Sequence, residues 1–347
     1  MKYRLQSHML RMMRGVFRIL PHSWALALGR GLGALGYRLA RERKRTAMEN
    51  LEAAFREEKT PEEIRRIARC SFEHLGAMAA EFFRFFPDRG ESIRDLIHLE
   101  GEEHLKETLE KGRGALVLSA HLGNWELVGM GLVQNGYPLA MVTKIARGRA
   151  VNEFLTGSRE GAGIKVFQGR GLFKESLRHL SKGGVLGSVL DQNARPREGV
   201  FVPFFGRPAC TLKSLALLAL RTGAPIVPVF GYREGKHHRI VCEPPLDPGI
   251  TEDSEGDVIR WTAACAEEVE KAVRRCPEQW MWLHKRWKTR PKESSEFRVQ
   301  SSESTNPDSK AQSSEEEREG VQGREGGRKK GEGRGEKGEG KKPFRPR

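Results

Sequence analysis

The chain predicts an α/β fold: a largely parallel central sheet flanked by helices. Two observations carry this. From Gly101 onward, short apolar runs of strand length alternate with longer segments of helical period, and Gly, Pro and polar residues punctuate them. The length, 347 residues, is also enough for one large domain of that kind or two small ones.

The elements follow in order. Val16 to Leu39 leans apolar, but Arg18, His22, Arg30 and Arg38 interrupt it, which makes it a poor transmembrane span. Leu10, Met13, Phe17 and Leu20 recur at helical spacing among basic residues, and this predicts an N-terminal membrane-associating helix lying in a membrane surface. No signal-peptide layout with a small-residue cleavage site precedes it. Thr60-Pro61-Glu62-Glu63 starts a helix, with Thr60 as cap and Pro61 at its first position. Its apolar positions run from Ile64 to Phe86 until Pro87 ends it, and Phe82, Phe83, Phe85 and Phe86 read as core rather than as an acyl-chain path.

Beyond Gly101, strands are expected at Ala115 to Ser119, Pro138 to Thr143, Ile164 to Phe167, Val185 to Leu190, Ile226 to Tyr232 and Arg239 to Cys242. Helices are expected from Asn124 and over Val151 to Glu160, Leu172 to Leu180, Thr211 to Arg221 and Ile259 to Arg274. No repeat, dinucleotide fingerprint or phosphate-loop lysine motif is present. The expected organisation is a membrane-associating segment over 1–40, a catalytic domain over 41–290 and a disordered charged tail over 291–347, whose Ser, Glu, Lys, Arg and Gly cannot bury enough surface to order it.

The formal net charge is +15, which favours anionic lipid or an acidic protein as partner. Glutamates interspersed among the basic residues of the tail argue against nucleic acid. Five scattered cysteines without a Cys-x-x-Cys pair argue against a disulfide framework or a structural zinc site, and neither metal nor organic cofactor is implied.

The chemistry concentrates in Ser119-Ala120-His121-Leu122-Gly123-Asn124-Trp125-Glu126. A buried strand ends here, His121 sits in the turn, Gly123 permits a tight bend and Asn124 caps the next helix. On one continuous helix His121 and Glu126 would point about 140° apart. With His121 ahead of the helix, its ring can fold back so that Glu126 accepts from one nitrogen and the other takes a proton from a hydroxyl. The alternative is a structural histidine with Glu126 merely exposed; position at the carboxyl end of a strand, where α/β folds hold ligands, favours function.

This segment resembles the His-x4-Glu motif of the bacterial lipid A biosynthesis acyltransferases, the lauroyl and myristoyl transferase family. Three later blocks resemble that family too: Leu190-Asp191-Gln192 with Gly199-Val200-Phe201-Val202-Pro203-Phe204-Phe205-Gly206, then Gly223-Ala224-Pro225-Ile226-Val227-Pro228-Val229, then Pro277-Glu278-Gln279-Trp280-Met281-Trp282-Leu283-His284-Lys285-Arg286-Trp287. The likeness spans roughly residues 10–290. It implies a glycerolipid-acyltransferase-like fold at the cytoplasmic face of the inner membrane. The implied reaction moves a fatty acyl group from acyl carrier protein to a hydroxyl of a phosphorylated glucosamine lipid, a lipid A precursor.

By this resemblance His121 is the general base and Glu126 its orienting partner. Arg159, in the basic stretch with Lys144, Arg147 and Arg149, is the first candidate for holding the phosphorylated acceptor; Lys144 and Asn124 join it as substrate-binding candidates. Asp191, at the end of another buried strand, is a rival carboxylate that could hold a substrate hydroxyl, assist His121 or brace the loop; a structural or binding role is favoured. Backbone amides around Gly123 and Asn124 are candidate oxyanion donors. The tryptophans of the last block read as core, and His284 and Arg286 as structural. Two alternatives stand: a lysophospholipid or other glycolipid acyltransferase, whose usual His-x4-Asp differs from Glu126, and a non-catalytic basic protein binding membrane or nucleic acid through its tail.

Overall fold

A computed structural model describes residues 2–86 and 91–291; Pro87 and, from residue 292 on, the expected tail lie outside them. Four helices come first: α1 (Lys2–Ile19), α2 (His22–Leu39), α3 (Arg41–Phe55) and α4 (Pro61–Phe85). The apolar stretch read from Val16 to Leu39 is thus divided, because Pro21 separates α1 from α2. No helix among the described residues is long and apolar enough to cross a membrane. Thr60 caps α4 as expected, in a capping box in which the Thr60 hydroxyl accepts from the Glu63 N–H and Glu63 accepts from the Thr60 N–H.

Helix α2 is laid directly on α4, so residues 1–40 are not a detached segment. A Cβ added at Gly29 would lie 2.5 Å from the Gly76 carbonyl oxygen, and one at Gly76 would lie 2.0 Å from that of Gly29. Helix backbones approach this closely only where side chains vanish from the contact.

The alternating part builds β1 (Ile97–Glu100), α5 (Glu102–Glu110), β2 (Ala115–Ser119), α6 (Trp125–Gln134), β3 (Leu139–Val142), α7 (Arg149–Gly161), β4 (Lys165–Phe167), α8 (Leu172–Leu180) and β5 (Val185–Val189). A hairpin of β6 (Gly199–Phe204) and β7 (Arg207–Leu212) comes next, then α9 (Ser214–Thr222), β8 (Ile226–Glu234), β9 (His237–Cys242) and α10 (Ser254–Arg275). Seven strands form one sheet in the order β1-β9-β8-β2-β5-β3-β4, parallel throughout except for the β8–β9 pair. The sequence reading missed β1, which is short and partly polar, and it read Thr211 into a helix. Thr211 instead pairs across the hairpin with Val200, and α9 begins three residues later.

The core has two faces, and β2 feeds both by its two-residue period. Leu116 and Leu118 join Leu186, Ile226, Phe230 and Trp280 on one side; Ala115 and Val117 join Val185, Val227 and Val229 on the other. Buried on both faces between parallel neighbours, β2 is the rigid element on which the His121 turn is mounted.

Candidate active site

Residues just past the carboxyl ends of β2 and β5 meet because the two strands run parallel and in register. Ser119 lies opposite Val189, so two residues on, His121 comes to stand beside Asp191. The His121 Nδ1–H donates to Asp191 Oδ1 at 2.7 Å, and the His121 backbone N–H donates to Oδ2 at 2.8 Å. The Trp280 indole N–H also donates to Oδ2, at 2.7 Å. Burial opposes charge on Asp191, yet the neighbouring His121 and the Trp280 indole N–H hold its pKa below the ordinary carboxylate value. With Nδ1–H committed to a carboxylate, Nε2 carries the lone pair, and the Gln192 side-chain amide lies 3.2 Å from it. The Trp125 ring meets the imidazole edge to face, with centroids 4.9 Å apart.

Glu126 is not the partner of His121. It stands in the first turn of α6, where Arg159 of α7 takes its carboxylate in a two-pronged pair, at 2.9 and 2.5 Å. Burial works against the Arg159 charge, but Glu126 outweighs it and raises the guanidinium pKa. The two residues expected to serve the base and the acceptor therefore hold each other. The reason lies in topology: five residues along the chain carry Glu126 around α6, whereas strand register brings a residue seventy positions away alongside the imidazole.

The turn carrying His121 is clamped from the C-terminal segment. Leu122 forms a β-bridge with Trp280, the Met281 N–H donates to the His121 carbonyl at 3.0 Å, and the Gly123 N–H donates to the Gln279 carbonyl at 3.0 Å. That last bond removes the Gly123 amide from the oxyanion candidates. Gly123 has φ +57, and a Cβ there would fall 1.9 Å from the Gly231 carbonyl oxygen, so only glycine fits.

Asn124 caps α6 as expected, its Oδ1 accepting from the Leu127 N–H at 3.2 Å. Its Nδ2 donates to Glu81 at 2.7 Å, and the side chain is buried. Both ends are spent inside the protein, which overturns its reading as a substrate-binding group. Glu81 itself is fully buried and also takes the Arg233 guanidinium, His238 and His22. Burial pushes its pKa up, but the donors from His22, His238 and Arg233 outweigh that and hold it well below the ordinary value. His74, one turn of α4 before the Ala77–Glu81 stretch, is engaged with the backbone at Gly123, and burial drives its pKa down to about 4.

Lys144 is exposed, on the loop after β3, and lines a recess together with His284. Among the other basic residues, Arg149 pairs with Glu153 at 2.7 Å and Arg207 lies over the Trp287 ring. His284 accepts from the Asn193 N–H at 2.9 Å, and Arg286 is buried, donating to the Cys210 carbonyl at 2.9 Å and the Thr211 hydroxyl at 2.5 Å. Both are structural, as expected. Trp280 and Trp282 are core, as expected, but Trp280 is also a donor to Asp191. Gln192, His74, Glu81 and the donor role of Trp280 escaped the sequence reading. Gln192 and Trp280 lay inside the quoted blocks, and convergence of those blocks on one turn would have been the signal.

Residues 3–289 match the family described as bacterial lipid A biosynthesis acyltransferase. The chain is similar to the lipid A biosynthesis lauroyltransferase of Escherichia coli K12, with 32% identity over 285 residues covering 78% of this chain and 88% of that protein. It is 28% identical over 279 residues to the palmitoleoyltransferase of the same organism, with coverage of 78% and 87%. A shorter match, 30% over 189 residues, joins 53% of the chain to 60% of a phosphatidylinositol mannoside acyltransferase of Mycolicibacterium smegmatis. Together with the His121 site at the carboxyl end of the sheet, these matches place the chain in the bacterial lipid A biosynthesis acyltransferase family, and it is an acyltransferase.

Proposed function

We propose that the enzyme transfers a fatty acyl chain from acyl carrier protein to a hydroxyl of a phosphorylated glucosamine lipid, a lipid A precursor, at the cytoplasmic face of the inner membrane. The observation that carries this is His121, whose Nδ1–H is held by Asp191 so that Nε2 keeps the lone pair of a base. The acceptor hydroxyl displaces the Gln192 amide from Nε2 and gives up its proton there while its oxygen attacks the thioester carbonyl carbon. The tetrahedral oxyanion then collapses. The carbon–sulfur bond breaks, and His121 returns the proton to the departing sulfur, leaving an ester and a free thiol.

Asp191 orients the imidazole and stabilises its charged form, the role first given to Glu126. Glu126 enters one step out, as the carboxylate that fixes Arg159 against the start of α6. The basic surface suits an acidic carrier protein as donor. Membrane attachment is supported by α1 and α2, which carry twelve exposed large apolar side chains from Tyr3 to Leu39, against five elsewhere among the described residues.

The test is an assay with labelled acyl carrier protein and the phosphorylated acceptor in mixed micelles. Wild type is expected to transfer label to the acceptor and His121→Ala to lose it; equal transfer by both would sink the assignment. The match to the mannoside acyltransferase favours a second reading, a different glycolipid acceptor. Label appearing on such a lipid, and not on the glucosamine lipid, would select it.

A further inference from the structure

Beside the histidine site lies a recess of about 660 Å³ whose charge is one-sided. Arg43, Lys144, Arg147, Arg195, Lys285 and Lys288 all line it. They come from α3, the loop after β3, the segment after β5 and the C-terminal segment, so the fold assembles the cluster and no charge run along the chain explains it. None of the six makes an ion pair with any described residue. The one carboxylate of the lining, Glu198, pairs with Arg197 outside it at 3.5 Å. Elsewhere exposed basic residues do find carboxylates, as Arg69 finds Glu73, Lys271 finds Glu267 and Arg274 finds Glu58. Six like charges gathered around one carboxylate that pairs elsewhere repel one another, and an anion in their midst relieves that.

The recess adjoins the reacting histidine. Its lining includes Asn193, which comes directly after Gln192 in the chain and donates its N–H to His284 Nε2. His284 is therefore neutral, with its proton on Nδ1, and Asp191, His121 and Lys144 are all near enough to act on its ring. Arg159, the residue first expected to meet the acceptor's phosphate, is elsewhere and already neutralised by Glu126. The volume falls in the range of small-ligand sites and suits a phosphorylated sugar. A carrier protein would call for a broad surface instead.

We propose that this recess is the subsite for a phosphate ester of the acceptor headgroup, seated by Arg43, Arg147, Arg195, Lys285 and Lys288 with Lys144 so that the neighbouring hydroxyl reaches His121. This rests on the phosphorylated glucosamine lipid being the acceptor at the same site.

The first experiment needs no turnover. Inorganic pyrophosphate is titrated calorimetrically into the full-length His121→Ala protein and into the same protein with Arg195→Gln and Lys288→Gln added. Binding is expected in the first, weakening with salt, and at least about tenfold weaker in the second, as loss of charge-assisted contacts requires. A Lys236→Gln control, an exposed charge outside the recess, is expected to bind as the parent does. Equal binding by all three proteins overturns the proposal.

The second experiment measures KM in the wild-type background for the phosphorylated acceptor, its dephosphorylated form and the acyl donor. The preference for the phosphorylated acceptor is expected to fall about tenfold in the Arg195→Gln/Lys288→Gln variant. If the donor KM rises and the acceptor preference holds, the recess docks the acidic carrier protein and the proposal fails. If wild type acylates no glucosamine lipid at all, the acceptor reading falls, while the calorimetry still judges whether the recess holds phosphate.

Discussion

At the scale of single residues, the hydrogen-bond pattern around Asp191 decides what each substitution does. Oδ2 accepts from two fixed donors, the His121 backbone N–H and the Trp280 indole, so in Asp191→Asn the carbonyl oxygen must occupy that place. The amide NH2 then faces His121 Nδ1 and donates to it, which drives the imidazole proton onto Nε2 and removes the base. We expect kcat to fall about 10³–10⁴-fold with the fold retained, the scale seen when a carboxylate partner of a catalytic histidine becomes an amide. Glu126→Gln weakens only the Arg159 pair and is expected to cost at most about tenfold. Steady-state rates of the two variants check this, and the reverse order would restore Glu126 as the partner. His74 gives a second residue-scale prediction. Its folded pKa of about 4 lies below its ordinary 6.5, so as pH falls between these values the unfolded chain binds a proton that the folded chain refuses. Stability is therefore intact above pH 6.5 and is lost on the way to pH 4, by about 3 kcal/mol in all from this one group. Urea midpoints for wild type and His74→Gln between pH 7 and 5 measure it; the wild type is expected to show the steeper loss, and parallel curves would refute the account.

At the scale of elements, most of the fold was legible because periodicity reports burial directly. The β2, α8 and β5 segments came out within a residue of their bounds, and Thr60 and Asn124 were read as caps because capping is local chemistry. Two features were not legible, for one physical reason. The β6–β7 hairpin and the choice of Asp191 over Glu126 beside His121 both depend on which strands neighbour one another, and strand adjacency leaves no local mark in a sequence. Once β2 and β5 are known to be parallel neighbours in register, the pairing of residues 121 and 191 is determined. The α2–α4 contact makes an element-scale prediction in which two rules conflict. Alanine is the better helix former, by about 1 kcal/mol over glycine. At Gly31, where nothing lies within 4 Å, Gly31→Ala is expected to raise stability by up to about that amount. At Gly76 the new methyl would lie 2.0 Å from the Gly29 carbonyl oxygen, which is backbone and cannot swing aside. Gly76→Ala is expected to destabilise by about 1–3 kcal/mol. Opposite shifts in thermal midpoint confirm the tight crossing, whereas two increases would show that the helices separate at little cost.

At the scale of the whole molecule, the unpaired apolar surface and the catalytic turn are linked through one buried carboxylate. Helix α2 presents Trp24, Leu28, Leu32, Leu35 and Leu39 outward, while His22, at its first turn, reaches inward to Glu81, which holds Asn124 at the head of α6. The helices that carry the exposed stripes are thus anchored to the same scaffold that positions His121. A lipid surface is the occupant that suits long apolar side chains flanked by Arg4, Arg11, Arg14, Arg18, Arg30 and Arg38, since the stripe can sink among acyl chains while guanidinium groups meet anionic headgroups. Burying Ile19 and Leu39, exposed by 85% and 70%, contributes roughly 1.5–3 kcal/mol each if they leave water completely. The Ile19→Glu/Leu39→Glu variant removes that gain and sets carboxylates against an anionic surface, so binding to vesicles containing phosphatidylglycerol is expected to weaken by at least about 100-fold. Neither residue belongs to the buried core, so the thermal midpoint in detergent is expected to stay where it is. Co-sedimentation of the full-length protein with such vesicles reads the outcome. Undiminished binding by the variant would move the attachment away from these helices and leave their apolar stripes without a lipid partner.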